Sequence, residues 1–83
     1  MPLSSKEPAM RELNLVGLRC PTPIVKLNTE MRALVEGEEV IAVASDPAFG
    51  PDVQAWCRRT GNTLLELASD GEQVRAHIRR SAD

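Results

Sequence analysis

Cys20 is the residue whose setting says most about chemistry. It lies in Gly17-Leu18-Arg19-Cys20-Pro21-Thr22-Pro23, between the end of one apolar segment and the start of a helical pattern. A thiol placed there faces the positive end of a helix dipole and amides that have no intrahelical partner. Such settings lower a cysteine pKa from about 8.5 to roughly 3.5–7.5. Arg19 adds positive charge, while Pro21 and Pro23 stiffen the turn that presents the sulfur. The expected chemistry is that of an activated sulfur nucleophile. The bland alternative is a small apolar cysteine packed beneath the helix, since free cysteine is among the most buried residue types. A proline on each side of Thr22 is not needed for that role.

The other chemistry-bearing residues carry weaker signals. Asp46 closes the second apolar segment and Asp52 follows it. Both belong near Cys20 if the first two strands are parallel, because the C-terminal ends of such strands share the sheet edge where α/β folds place ligand sites. Asp46 would orient a partner or receive a proton; as a purely structural residue it makes an Asp-Pro turn. Asp52 reads as a helix N-cap. A nearby carboxylate would raise the thiol pKa, against the helix dipole. Cys57, beside Trp56 on an apolar helix face, reads as core, with a resolving thiol as the alternative. His77 is the single histidine, and with two distant cysteines it makes no zinc site, which needs about four ligands at close spacing. No metal or organic cofactor is expected. Arg58, Arg59, Arg75, Arg79 and Arg80 read as solvated surface, or else as a docking patch for an acidic partner.

The elements that must position these residues follow from pattern. Leu13-Asn14-Leu15-Val16 alternates and reads as a strand ended by Gly17. Pro21 and Pro23 open a helix whose apolar stripe is Ile24, Leu27, Met31 and Leu34. Glu36-Gly37-Glu38 should stop it, with Gly37 at a left-handed C′ position. Val40 to Ala44 is apolar without alternation and suits a central strand buried on both faces. Phe49-Gly50-Pro51 reads as a loop. Asp52 then caps a second helix whose inner face is Val53, Trp56, Cys57 and Thr60, ended by Gly61-Asn62. Thr63 to Ser69 is a third strand, and Asp70-Gly71 signals a hairpin. Val74, Ala76 and Ile78 alternate with Arg75, His77 and Arg79, giving a fourth strand with one wet face. The expected fold class is α+β: a two-layer α/β sandwich in βαβαββ order, with a four-stranded mixed sheet and two helices on one face. Residues 1–10 read as a flexible tail and residues 11–80 as a single domain.

Composition narrows the function classes. The chain has 83 residues, enough for one small domain. With 10 Lys plus Arg against 12 Asp plus Glu, the net charge is −2, which argues against a general nucleic-acid binder. Phe49 and Trp56 are the only aromatics, too few for a base-stacking platform. No apolar run approaches the roughly 20 residues that span a bilayer. The N-terminus lacks the apolar stretch of a signal peptide. Two cysteines without an export signal suggest free thiols in a reducing, cytoplasmic setting.

The stretch Leu13-Asn14-Leu15-Val16-Gly17-Leu18-Arg19-Cys20-Pro21-Thr22-Pro23 resembles the N-terminal signature of the TusA/SirA family of small sulfur-carrier proteins. The resemblance runs over about residues 13–80. It takes in Gly37-Glu38 before the second strand, Asp46-Pro47 after it, and the Trp56-Cys57 pair. It implies a persulfide carried on Cys20 as the catalytic residue, with Arg19, Pro21, Pro23 and Asp46 supporting it or meeting a partner. It also implies a sulfur-donor protein of cysteine desulfurase or rhodanese type. The acceptor protein would serve tRNA thiolation, sulfur oxidation or cofactor assembly. Many members have Asp where this chain has Asn14 and Glu where it has Thr22. Both changes remove negative charge near Cys20 and bear on which partner docks. A carrier of this kind is expected to act as a monomer, without stable nucleic-acid binding. Two other readings compete: a thiol redox protein, which lacks a Cys-X-X-Cys motif, and a non-catalytic interaction or regulatory domain.

Overall fold

In the computed structural model, residues 10–81 are described. The tail expected over 1–10 lies outside them except for Met10, which already belongs to the first strand. The order is β1 (Met10–Leu15), α1 (Thr22–Arg32), β2 (Glu39–Ala44), α2 (Phe49–Thr60), β3 (Thr63–Asp70) and β4 (Gln73–Arg79). The sheet runs β1-β2-β4-β3, with β1 parallel to β2 and the other pairs antiparallel. It is therefore mixed, and both helices cover one face, as expected for the two-layer sandwich.

Strand alternation decides which side chains the helices cover. Leu15, Val40, Ala42, Ala44, Ala76 and Ile78 point to the helical layer and are fully buried. From the helices they meet Leu27, Met31, Phe49, Val53, Trp56 and Cys57. The opposite face is open. There Ile41 stands opposite His77, and Val43 opposite Arg75. This corrects the expectation for Val40 to Ala44: β2 is central but buried on one face, with Ile41 and Val43 half-buried on the other. A single helical layer can bury only one side of a sheet. On the open face the longer side chains of neighbouring strands shield the apolar residues only in part.

Element ends moved where side chains or tight turns compete with composition. α1 stops at Arg32, before Leu34 and Gly37. The Ala33 and Leu34 amides donate to the carbonyls of Glu30 and Met31, three residues back, which tightens and ends the helix. Leu34 remains buried beyond it. Gly37 does adopt a left-handed φ of 92°, but in the following turn, where its N–H donates to the Arg80 carbonyl at 2.9 Å. α2 begins at Phe49, not after Asp52. Phe49 is buried, and Pro51 is tolerated because it falls in the first turn. Gly61 ends α2 in the left-handed conformation. Thr60, expected on the inner face, is exposed, and its hydroxyl donates to the Trp56 carbonyl. β3 runs one residue further than expected, so the hairpin loop is Gly71-Glu72.

Candidate active site

β1 and β2 are paired in parallel with Leu15 opposite Ala44, so the chain leaves both strands side by side at one sheet edge. Two bonds tie the emerging loops together. The Gly17 N–H donates to Ser45 Oγ at 2.8 Å, and the Cys20 N–H donates to Asp46 Oδ2 at 2.7 Å. Gly17 has a φ of 89°, a conformation that side chains disfavour. Asn14 Oδ1 accepts the Val16 N–H at 3.0 Å. Asn14 thus shapes the strand exit, while Thr22 stands exposed as the first residue of α1.

Asp46 is the hinge of this arrangement. Its second oxygen, Oδ1, accepts the Ala48 N–H at 3.0 Å, and its carbonyl accepts the Phe49 N–H at 2.9 Å. One residue therefore ties the Cys20 backbone to the start of α2. The Ala48 and Cys20 amides, with Arg19 adding positive charge, hold the Asp46 carboxyl below its ordinary value. A pocket of about 440 Å³ opens alongside, lined by Gly17, Leu18, Arg19, Ser45, Asp46 and Pro47.

Cys20 itself is exposed, and its peptide bond to Pro21 is cis. The Asp52 carboxylate, which favours the protonated thiol as a hydrogen-bond donor, then desolvation, then the charges of Asp52 and Asp46 push the thiol pKa above its ordinary value. The expectation of a lowered pKa is thereby overturned. The reason lies in the amides. Pro21 and Pro23 have no N–H, and the Thr22 N–H is taken by the Arg19 carbonyl at 2.8 Å. Of the amides at the helix mouth, only that of Ile24 is left to face an anion. The positive charge of Arg19 acts on Asp46 instead.

Asp46 and Asp52 both act on Cys20, as expected if the first two strands are parallel. Asp52, however, is no N-cap: it sits within the first turn of α2, and Ala48 holds the cap position without a side-chain bond. Ser45, whose Oγ accepts the Gly17 N–H, escaped the sequence reading; a serine directly before Asp-Pro at a strand exit was the signal for it. Cys57 is buried on the inner face of α2, and desolvation pushes its thiol up to about 11. His77 lies on the open sheet face, where its Nε2 stands 2.7 Å from Glu39 Oε1. The arginines form no single patch. Arg58 and Arg59 close α2, whereas Arg75 and Arg79 lie on the open sheet face, and Arg80 is half-buried.

Comparison with known proteins places this chain in a family. Residues 11–80 match the family described as Sulfurtransferase TusA. The sulfur carrier protein TusA of Allochromatium vinosum is 32% identical over 71 residues, covering 86% of this chain and 93% of the relative. A relative from Aquifex aeolicus is 33% identical over 73 residues, and YrkF of Bacillus subtilis is 35% identical over 71. This chain spans only 37% and 38% of those two longer relatives. The SirA-like protein from Desulfitobacterium hafniense has the same fold, with a TM-score of 0.76 at 19% identity, covering 88% of this chain and all of its own. The chain belongs to the TusA/SirA family of sulfur-carrier proteins.

Proposed function

We propose that Cys20 accepts sulfane sulfur as a persulfide from a donor protein of cysteine desulfurase or rhodanese type and passes it to an acceptor protein. The observation that carries this reading is the contrast in access. Cys20 is the exposed thiol, held by its own backbone N–H on Asp46 at the edge where β1, β2 and both helix starts meet. Exchange between sulfurs requires the attacking and carried atoms to be reachable. Residues 11–80 form the carrier domain in this reading, with Arg19, Pro21, Pro23 and Asp46 shaping the presenting loop. Transfer needs no metal or organic cofactor. The acceptor serves tRNA thiolation, sulfur oxidation or cofactor assembly. Among the described residues no helix is long and apolar enough to cross a membrane, and a cytoplasmic relay between proteins accords with that.

The test is intact-mass spectrometry after incubation with a cysteine desulfurase and cysteine. A gain of one sulfur atom, reversed by reductant and absent in Cys20→Ser, is expected. Retained loading in Cys20→Ser overturns the reading.

A further inference from the structure

The loop that carries Cys20 is held to the neighbouring strand exit at two points. Between β1 and α1, the Val16, Leu18 and Thr22 amides are bonded within their own segment, to Asn14 Oδ1 and to the Leu15 and Arg19 carbonyls. Pro21 has no N–H to offer. Two amides reach across to the end of β2. The Cys20 N–H goes to Asp46, the charged brace, and the Gly17 N–H goes to Ser45 Oγ at 2.8 Å. Ser45 and Asp46 are consecutive, so the two bonds form the rungs of a short ladder between the loops.

The rungs do different work. The Asp46 rung fixes the backbone of the cysteine itself. The Ser45 rung fixes the point where the chain turns away from β1. Gly17 stands there at a φ of 89°, and nothing lies within 4 Å of the place where a side chain would begin. No side-chain packing holds this residue, so its amide is what ties it to the β2 exit. Without that rung the loop pivots about the Cys20–Asp46 bond, and the thiol turns with it.

We infer that Ser45 is a positioning residue for Cys20 in sulfur transfer: its hydroxyl oxygen holds the Gly17 N–H and so sets the orientation in which the loop presents the thiol. The inference rests on the persulfide reading above. Ser45 touches no reacting atom in this role and acts through the backbone. A protein donor brings its sulfur along one path, set by how the two proteins dock. A reacting group misplaced by about 1 Å can cost roughly 100-fold in rate. A small reagent approaches an exposed thiol from any side. Loss of position therefore slows transfer from a protein and spares reaction with a small molecule. Loss of chemical activation slows both, and loss of fold stability alone slows neither under native conditions.

The experiment compares wild type, Ser45→Ala, Ser45→Thr and Cys20→Ser. Single-turnover loading from a cysteine desulfurase with cysteine is followed by intact mass over a range of desulfurase concentrations. Thiol reactivity is followed with iodoacetamide. With the Asp46 rung still in place, Ser45→Ala is expected to load about 10-fold more slowly at saturating desulfurase. Its half-saturating concentration and its alkylation rate are expected to match wild type, and its Gly17 amide to exchange with solvent faster. Ser45→Thr keeps the hydroxyl, and the pocket that Ser45 lines has room for the added methyl. It is expected to recover most of the loading rate. Wild-type loading by Ser45→Ala overturns the inference and leaves the persulfide reading standing. So does an equal slowing of loading and alkylation, a change confined to the half-saturating concentration, or a Ser45→Thr protein as slow as Ser45→Ala. Loading retained in Cys20→Ser removes the persulfide reading itself.

Discussion

The two cysteines keep their protons by opposite means. Cys57 is buried among Trp56 and its neighbours on the inner face of α2, where desolvation alone pushes its thiol up to about 11. Cys20 is exposed, and the Asp52 carboxylate is the main cause of its raised pKa. A thiol that keeps its proton through lost water gives it up only in strong alkali or on unfolding. A thiol that keeps it through charged neighbours is released by anything that protonates, displaces or satisfies them. The first arrangement suits a structural residue and the second suits the nucleophile proposed for Cys20, in the same small domain and from the same residue type.

The sharpest way to break this comparison is to exchange the roles. Cys57→Ser should load sulfur from a desulfurase as wild type does, whereas Cys20→Ser should not load at all. Loading that depends on Cys57 would make it a resolving or relay thiol and end the contrast. A smaller effect is expected in alkylation. Under native conditions iodoacetamide should modify Cys20 alone, and in denaturant both thiols, counted by mass. Rapid native labelling of Cys57 would mean that α2 opens far more readily than its packing indicates.

How much of this was legible beforehand depends on which interaction decides each feature. Strand β4 was plain, because Val74, Ala76 and Ile78 alternate with three polar residues and only one face can be buried. The closeness of Asp46 to Cys20 followed once the first two strands were read as parallel neighbours. The start of α2 was hidden, because Phe49-Gly50-Pro51 has the composition of a loop. What makes it helical is the burial of Phe49 and the brace at Asp46, which joins residues far apart in sequence. The direction of the Cys20 shift was misread for a different reason. A helix mouth is a source of positive potential, yet Pro21 and Pro23 are the residues that remove its amides. That fact was present in the sequence and was outweighed by the general rule.

On the Cys57 side, stability gives the next test. Cys57→Ser places a hydroxyl in an apolar setting and should cost about 1–3 kcal/mol in urea unfolding. The thiol also leaves a mark in alkali. Its folded-state pKa of about 11 lies above the ordinary 9.0, so the stability it contributes is whole below 9 and is lost as pH rises toward 11. Cys57→Ala should lack that part of the alkaline decline. An identical decline in both proteins would mean that the Cys57 thiolate is better solvated than its burial implies.

The smallest expected effect lies at the brace beside Cys20 and has the opposite sign in pH. Asp46 is held below the ordinary carboxylate value of 3.8 by the Ala48 and Cys20 amides. The folded state therefore binds its proton less readily than the unfolded chain does. The stability this contributes is complete above 3.8 and disappears as pH falls through the lower folded value. Asp46→Asn keeps the shape and an acceptor oxygen but removes the charge. Its urea midpoint should fall below that of wild type near neutral pH, and the gap should close in acid. Because Asp46 also positions the Cys20 backbone, the same variant should load sulfur more slowly at neutral pH. A gap that stays constant into acid would mean that Asp46 acts through shape alone. The exposed cysteine would then owe its position to the loop and not to the charge beneath it.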